Sequence, residues 1–133
     1  MNEPRISSRD FRAALARLRE GLAEDPTKSG LVVDGVIQRF EFTFELAWKL
    51  LKAMLWREGI DCRSPRACVK EAFQQGMIHD GEGWIAMLED RNRTSHLYDE
   101  KEALTVYRAV TATYVALFDA LEEMVSSERY AGA

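Results

Sequence analysis

The sequence predicts an all-α protein, an antiparallel up-and-down helical bundle of four main helices and one short one. Three observations carry that expectation. Ala, Leu, Glu, Arg and Lys are abundant while only 3 of 133 residues are proline, a composition that favours helix. Apolar residues recur at three- and four-residue steps through most of the chain, with no alternating strand pattern. The stretches between these runs are short, and short connections join antiparallel neighbours.

Residues 7–24 read as the first helix. Phe11, Leu15, Leu18 and Leu22 recur at helical spacing, and Ser7 or Ser8 can cap the start. Arg5, Arg9, Arg12 and Arg19 fall on a separate stripe, read as a solvated basic face. Asp25-Pro26-Thr27-Lys28-Ser29-Gly30 has turn chemistry and ends the helix. Residues 31–58 carry the longest pattern. Val33, Val36, Ile37, Phe40, Phe44, Ala47, Trp48, Leu51 and Leu55 make one broad apolar face, and Phe42, Leu46 and Leu50 add a second. A helix apolar around most of its girth sits inside a bundle or on a self-association surface, so a homodimer is expected. Its polar strip is Glu41, Glu45, Lys49 and Lys52, with Glu45 and Lys49 in the favourable i,i+4 order. Gly59 supplies a C-cap.

Ser64-Pro65 opens a third, short helix that Gly76 stops, with Ala67, Cys68, Ala72 and Phe73 as packing candidates. A fourth starts near Gly81-Glu82 and carries Trp84, Ile85, Met87 and Leu88. The fifth covers about 99–126, with Asp99 at its N-cap. Its seam is Leu104, Tyr107, Val110, Tyr114, Leu117, Leu121 and Met124. The tail from Ser126 is expected to fray. One domain spanning 1–133, with its core at about 8–125, suits this length.

Composition narrows the function classes. No apolar run approaches a membrane span, and the charged N-terminus lacks a signal-peptide core, so a cytoplasmic protein is expected. The net charge of -4 argues against nonspecific nucleic-acid binding over the whole surface, while allowing a local basic cleft. Cys62 and Cys68 have no framework or zinc-knuckle spacing and read as reduced thiols. Two histidines and no ligand-like cluster point to no metal site.

The chemistry concentrates in Arg91-Asn92-Arg93-Thr94-Ser95-His96-Leu97-Tyr98. Cleaving an RNA phosphodiester requires a base for the 2′-hydroxyl, an acid for the leaving oxygen and positive charge on the phosphorane. Histidine titrates near neutrality and suits the proton transfers. Arginine stays charged and its fork matches phosphate oxygens. Asn92 can orient imidazole or phosphate. Arg91 and His96 lie about 140° apart on a straight helix, so a break near Ser95 or a groove between two chains must bring them to one site. The plain alternative pairs Arg91 with Glu89, Asp90 or Asp99 and leaves His96 at a helix end.

Arg91-Asn92-x3-His96-x-Tyr98 resembles the R-x4-H-x-Y motif of HEPN-domain proteins. Gly35 through Lys49, Ser64-Pro65-Arg66 and Trp84 through Tyr98 resemble the branch known as nucleotidyltransferase substrate-binding protein, which overlaps the HEPN toxins of toxin–antitoxin pairs. The similarity covers about residues 8–122. It implies a helical-bundle homodimer encoded beside a minimal nucleotidyltransferase. It also implies a toxin that is a metal-independent endoribonuclease, with Arg91 and His96 as the active pair and Asn92 beside them; Arg91 and Arg93 are the candidate substrate-binding cations. No cofactor is implied for this chain. ATP and magnesium belong to the partner, which acts as antitoxin by placing AMP on Tyr98. The competing implication is a non-catalytic subunit that holds a nucleotide or polyanion for the nucleotidyltransferase.

Overall fold

The computed structural model describes residues 8–96 and 99–127. Six α-helices appear among them: α1 (Ser8–Leu22), α2 (Gly30–Arg57), α3 (Pro65–Gln74), α4 (Gly81–Arg93), α5 (Glu100–Ala109) and α6 (Val115–Val125). A 3₁₀ turn, Thr94–His96, follows α4, and a π turn, Val110–Tyr114, fuses α5 to α6 into one long rod. The described residues hold no strand.

Caps explain where most of these helices begin and end. The hydroxyls of Ser29 and Ser64 accept from the amides of Leu31 and Ala67, and the carboxylates of Asp80 and Asp99 accept from those of Gly83 and Glu102, each satisfying a donor with no partner inside its helix. Gly59 and Gly76 take positive φ, 81° and 75°. The amides of Ile60 and Met77, one residue on, reach back to the carbonyls of Leu55 and Ala72, so α2 and α3 both end in Schellman turns.

Helix α2 is the 28-residue axle of the bundle. Arg39 donates to the carbonyl of Arg17 (2.7 Å) and Thr43 approaches that of Ala14 (3.3 Å), so α1 runs antiparallel to α2. Arg19 bridges to Asp119 and Glu122, and Arg12 donates to Ser126, which sets α6 antiparallel to α1. Two arginines of the expected solvated stripe thus fasten the first helix to the last. Arg5, like Ser7, lies outside the described residues. Trp84 meets Phe118 edge-on at 6.0 Å, while Asp90 meets Tyr114, so α4 opposes the last rod. The result is the predicted up-and-down bundle, with α3 as the short fifth member.

The core is aromatic at its centre. Phe11 and Phe118 pack at 6.0 Å, Phe40 and Tyr114 stack at 5.6 Å, and Phe44 lies 6.3 Å from Trp84. Rings at these separations add directional attraction to a large buried area.

Three expectations are corrected. The last rod buries Ala103, Val106, Val110, Tyr114, Phe118, Leu121 and Val125, whereas Leu104, Tyr107, Leu117 and Met124 are only partly buried. Three consecutive four-residue steps from Val106 to Phe118 would drift about 120° on a regular α-helix. The wider π turn, in which the amide of Val115 reaches the carbonyl of Val110, takes up that drift. Secondly, Phe73, a packing candidate on α3, is 50% exposed. Thirdly, Cys62 and Cys68 are joined in a disulfide. The loop before the Ser64 cap folds back onto the first turn of α3, bringing the two Cα atoms to 5.2 Å, within bridging range. No helix among the described residues is long and apolar enough to cross a membrane.

Candidate functional site at the end of α4

Helix α4 buries Trp84, Met87 and Leu88. One turn further its apolar stripe becomes Arg91. The α-helix then ends at Arg93 and tightens into the Thr94–His96 turn, where the Thr94 hydroxyl donates to the carbonyl of Arg91 at 2.7 Å. The break expected near Ser95 therefore falls at Thr94, and Arg91 and His96 sit on successive turns of different pitch. His96 is exposed. Tyr98 lies outside the described residues.

Arg91 reaches across the bundle to Glu45 of α2, forming an ion pair whose side chains are 30% and 31% exposed. Its Nη1 also donates to Asn92 Oδ1 at 3.3 Å. The guanidinium carbon stands 6.0 Å from the centroid of the Phe44 ring, a cation–π distance. Glu45 accepts from two further donors. Trp48 Nε1 lies 3.1 Å from one oxygen and Lys49 Nζ 3.2 Å from the other. Partial burial alone pushes the Glu45 carboxyl up, but bonds from Trp48 and Lys49 and the charges of Arg91 and Lys49 outweigh it and hold it below the usual range. Glu45 is ionised at neutral pH.

The acidic residues that flank the motif have other partners. Glu89 pairs with Arg66 at 3.7 Å and Asp99 caps α5. Asp90 accepts from Arg93 at 2.7 Å and from the Tyr114 hydroxyl. Burial first, then the bond to Asp90, lifts the Tyr114 phenol far above its ordinary range, so it stays a donor. The π turn thereby anchors the residue next to Arg91, in keeping with the frequent placement of such turns at functional sites. Arg93 faces away from Glu45, with 61% of its side chain exposed. The structure thus unites Arg91 with Asn92 and sets Arg93 on a separate ion pair.

Glu45, Phe44 and Trp48 are site neighbours that sequence reasoning did not assign. Their one visible signal is Glu45 itself, an acid on the narrow polar strip of an otherwise apolar helix. A groove of about 620 Å³ between α3 and α4, lined by Val69, Phe73 and Ile85 among others, holds none of the motif residues.

Bundle and broken helix together define a small all-α protein with an arginine and a histidine at one edge. Residues 7–127 match the family described as nucleotidyltransferase substrate binding protein like, and the chain belongs to that family. Among curated proteins, it is 32% identical over 104 residues to a probable ribonuclease HepT from Haemophilus influenzae, covering 74% of this chain and 71% of the relative. A crystal structure of a Thermus thermophilus protein superposes with a TM-score of 0.80 at 34% identity, covering 88% of this chain and 99% of the other. The tri-AMPylated HEPN toxin of Shewanella oneidensis, solved in complex with its MNT antitoxin, superposes at 0.75 over 96% of this chain and 100% of its own, at 16% identity. That last likeness establishes shared fold alone.

Proposed function

We propose that this chain is the HEPN toxin of a two-component toxin–antitoxin system, an endoribonuclease that works without a metal ion in the cytoplasm. The observation that carries the reading is the end of α4 at Arg93 and the 3₁₀ turn Thr94–His96 that follows, so that Arg91 and the exposed His96 do not lie on one regular helix. Kinship to a probable ribonuclease supports it. In this reading His96 moves the protons of transesterification. Arg91 stabilises the charge that builds on the phosphorane, Asn92 steadies the Arg91 guanidinium, and exposed Arg93 contacts the RNA backbone. Wild-type protein purified without its partner is expected to cut RNA in excess EDTA. RNA left intact, with cleavage appearing only on metal addition, would refute metal independence. RNA intact under both conditions would remove the enzyme reading.

The site is completed by a second copy of the chain. Leu31 and Phe42, 78% and 58% exposed on α2, supply an apolar face for self-association. Phe42→Asp should convert a dimer to a monomer in sedimentation and reduce cleavage with it. A wild-type monomer at micromolar concentration is the result that contradicts this.

Control comes from a minimal nucleotidyltransferase that transfers AMP from ATP, with magnesium, to Tyr98. The second reading, a non-catalytic subunit that grips a nucleotide or polyanion for that partner, is favoured by the neutralisation of Arg91 by Glu45 and by the net charge of -4. Tight RNA or nucleotide binding without cleavage would select it.

A further inference from the structure

We infer that Glu45 is a displaceable counter-ion: it occupies the Arg91 guanidinium in the ligand-free protein and yields it to the phosphates of a polyanionic strand. The inference rests on the reading of Arg91 as a phosphate-binding residue, not on cleavage.

Three features of the pair support exchange over permanent anchoring. Arg91 gives its Nη2 donor to Glu45. Carboxylate and phosphate oxygens compete for the same guanidinium edge. The pair is about one-third exposed on both sides, where an ion pair contributes little to folding. A neighbouring phosphate can also reach it without opening the core.

Glu45, moreover, does not depend on Arg91. After exchange its two oxygens keep Trp48 Nε1 and Lys49 Nζ, at 3.1 and 3.2 Å. Losing one of three donors does not strand the carboxylate. Stranding would block the swap, because an unpaired, partly buried charge is costly. Arg91 is likewise steadied by the Phe44 face at 6.0 Å and by Asn92 at 3.3 Å. Nη2 can therefore change partners while Nη1 and the guanidinium carbon keep theirs.

The exchange also selects its ligand. One monoanion meets a carboxylate of equal charge already in place and gains little. A nucleic-acid strand brings several phosphates, and its remaining charges can engage exposed cations such as Arg93 while one phosphate takes Arg91. Glu45 therefore sets a threshold that favours strands over single nucleotides.

The test uses full-length protein carrying His96→Ala, so that bound RNA is not consumed. Fluorescence anisotropy with a labelled single-stranded oligoribonucleotide should show about three- to fivefold tighter binding when Glu45→Gln is added, the size expected for removing one competing surface charge. The same substitution made beside Arg91→Ala should give no gain, since the competitor then has nothing to release. Independently of RNA, phenylglyoxal should modify Arg91 severalfold faster in Glu45→Gln, read by peptide mass mapping, while Arg17 reacts at an unchanged rate. Glu45→Ala serves as the second variant if Glu45→Gln loses its helical circular dichroism.

Binding that is unchanged or weaker on removing Glu45, or absent in every variant, overturns the inference. So does a gain that survives Arg91→Ala, or an unaltered Arg91 modification rate. If the gain holds but protein with His96 intact never cuts RNA, the counter-ion role stands and the ribonuclease reading falls.

Discussion

His96→Ala should slow RNA cleavage by about 100- to 10,000-fold, the usual contribution of a positioned acid–base group. The loss should fall on kcat, with RNA affinity nearly unchanged, because the proposed role of the imidazole is proton transfer and that of the arginines is to hold the strand. His96 is exposed on the short Thr94–His96 turn, outside the buried aromatic core. The thermal melt of the variant should therefore overlay the wild type. Arg91→Lys makes the complementary test. It keeps a cation but loses the planar fork, so it should weaken cleavage without restoring it to the level seen with Arg91. Single-turnover cleavage of a labelled RNA measures both. Equal rates for wild type and His96→Ala would end the assignment of His96, and a drop matched by lost stability would reassign it to folding.

Incubation with the partner nucleotidyltransferase, ATP and magnesium should add AMP to Tyr98 and bring cleavage to background. An adenylyl group carries a phosphate and a bulky base, and Tyr98 is two residues beyond His96 and seven beyond Arg91. On the proposed reading, negative charge and volume delivered so close in sequence to the motif would neutralise and block the RNA site. Intact-mass measurement reads the modification and the cleavage assay reads its consequence. Tyr98→Phe should stay unmodified and remain active in the partner's presence. Mass addition that survives Tyr98→Phe, or a fully modified protein that still cuts RNA, would separate the modification from control.

The helices were legible because local physics defines them. Ser64-Pro65, Asp99 and the two stop glycines behave as their side chains and backbone freedom require, and the apolar periodicity of α1 and α2 matches the burial of Phe11, Leu15, Phe40 and Phe44. The end of α4 was legible as far as one helix allows: a break near Ser95 was one of two routes left open, and the α-helix does end at Arg93. What lay beyond reach was set by contacts distant along the chain. Glu45 is 46 residues from Arg91, and its sequence neighbourhood offered Lys49 as a sufficient partner, which it also has. The plain alternative placed Arg91 on nearby acids, but Asp90 is held by Tyr114 and Arg93. The cysteine pair was missed for a similar reason, since their approach depends on how a loop folds before a cap. Phe118 was assigned no core role because seam reading assumes a uniform pitch, which the turn at Val110–Tyr114 does not keep.

That turn also bears on how length variation among relatives can be read. A π turn gives the rod one residue more than an α-helix joining the same two packed halves would use. A relative lacking one residue between 110 and 114 can therefore keep both α5 and α6 in their places, whereas a deletion elsewhere would rotate one half out of its groove. The part exposed to change is the Tyr114–Asp90 link beside the candidate site, leaving the bundle itself intact. A one-residue gap at this position is thus the mark of a retuned edge on a conserved frame, not of a different fold.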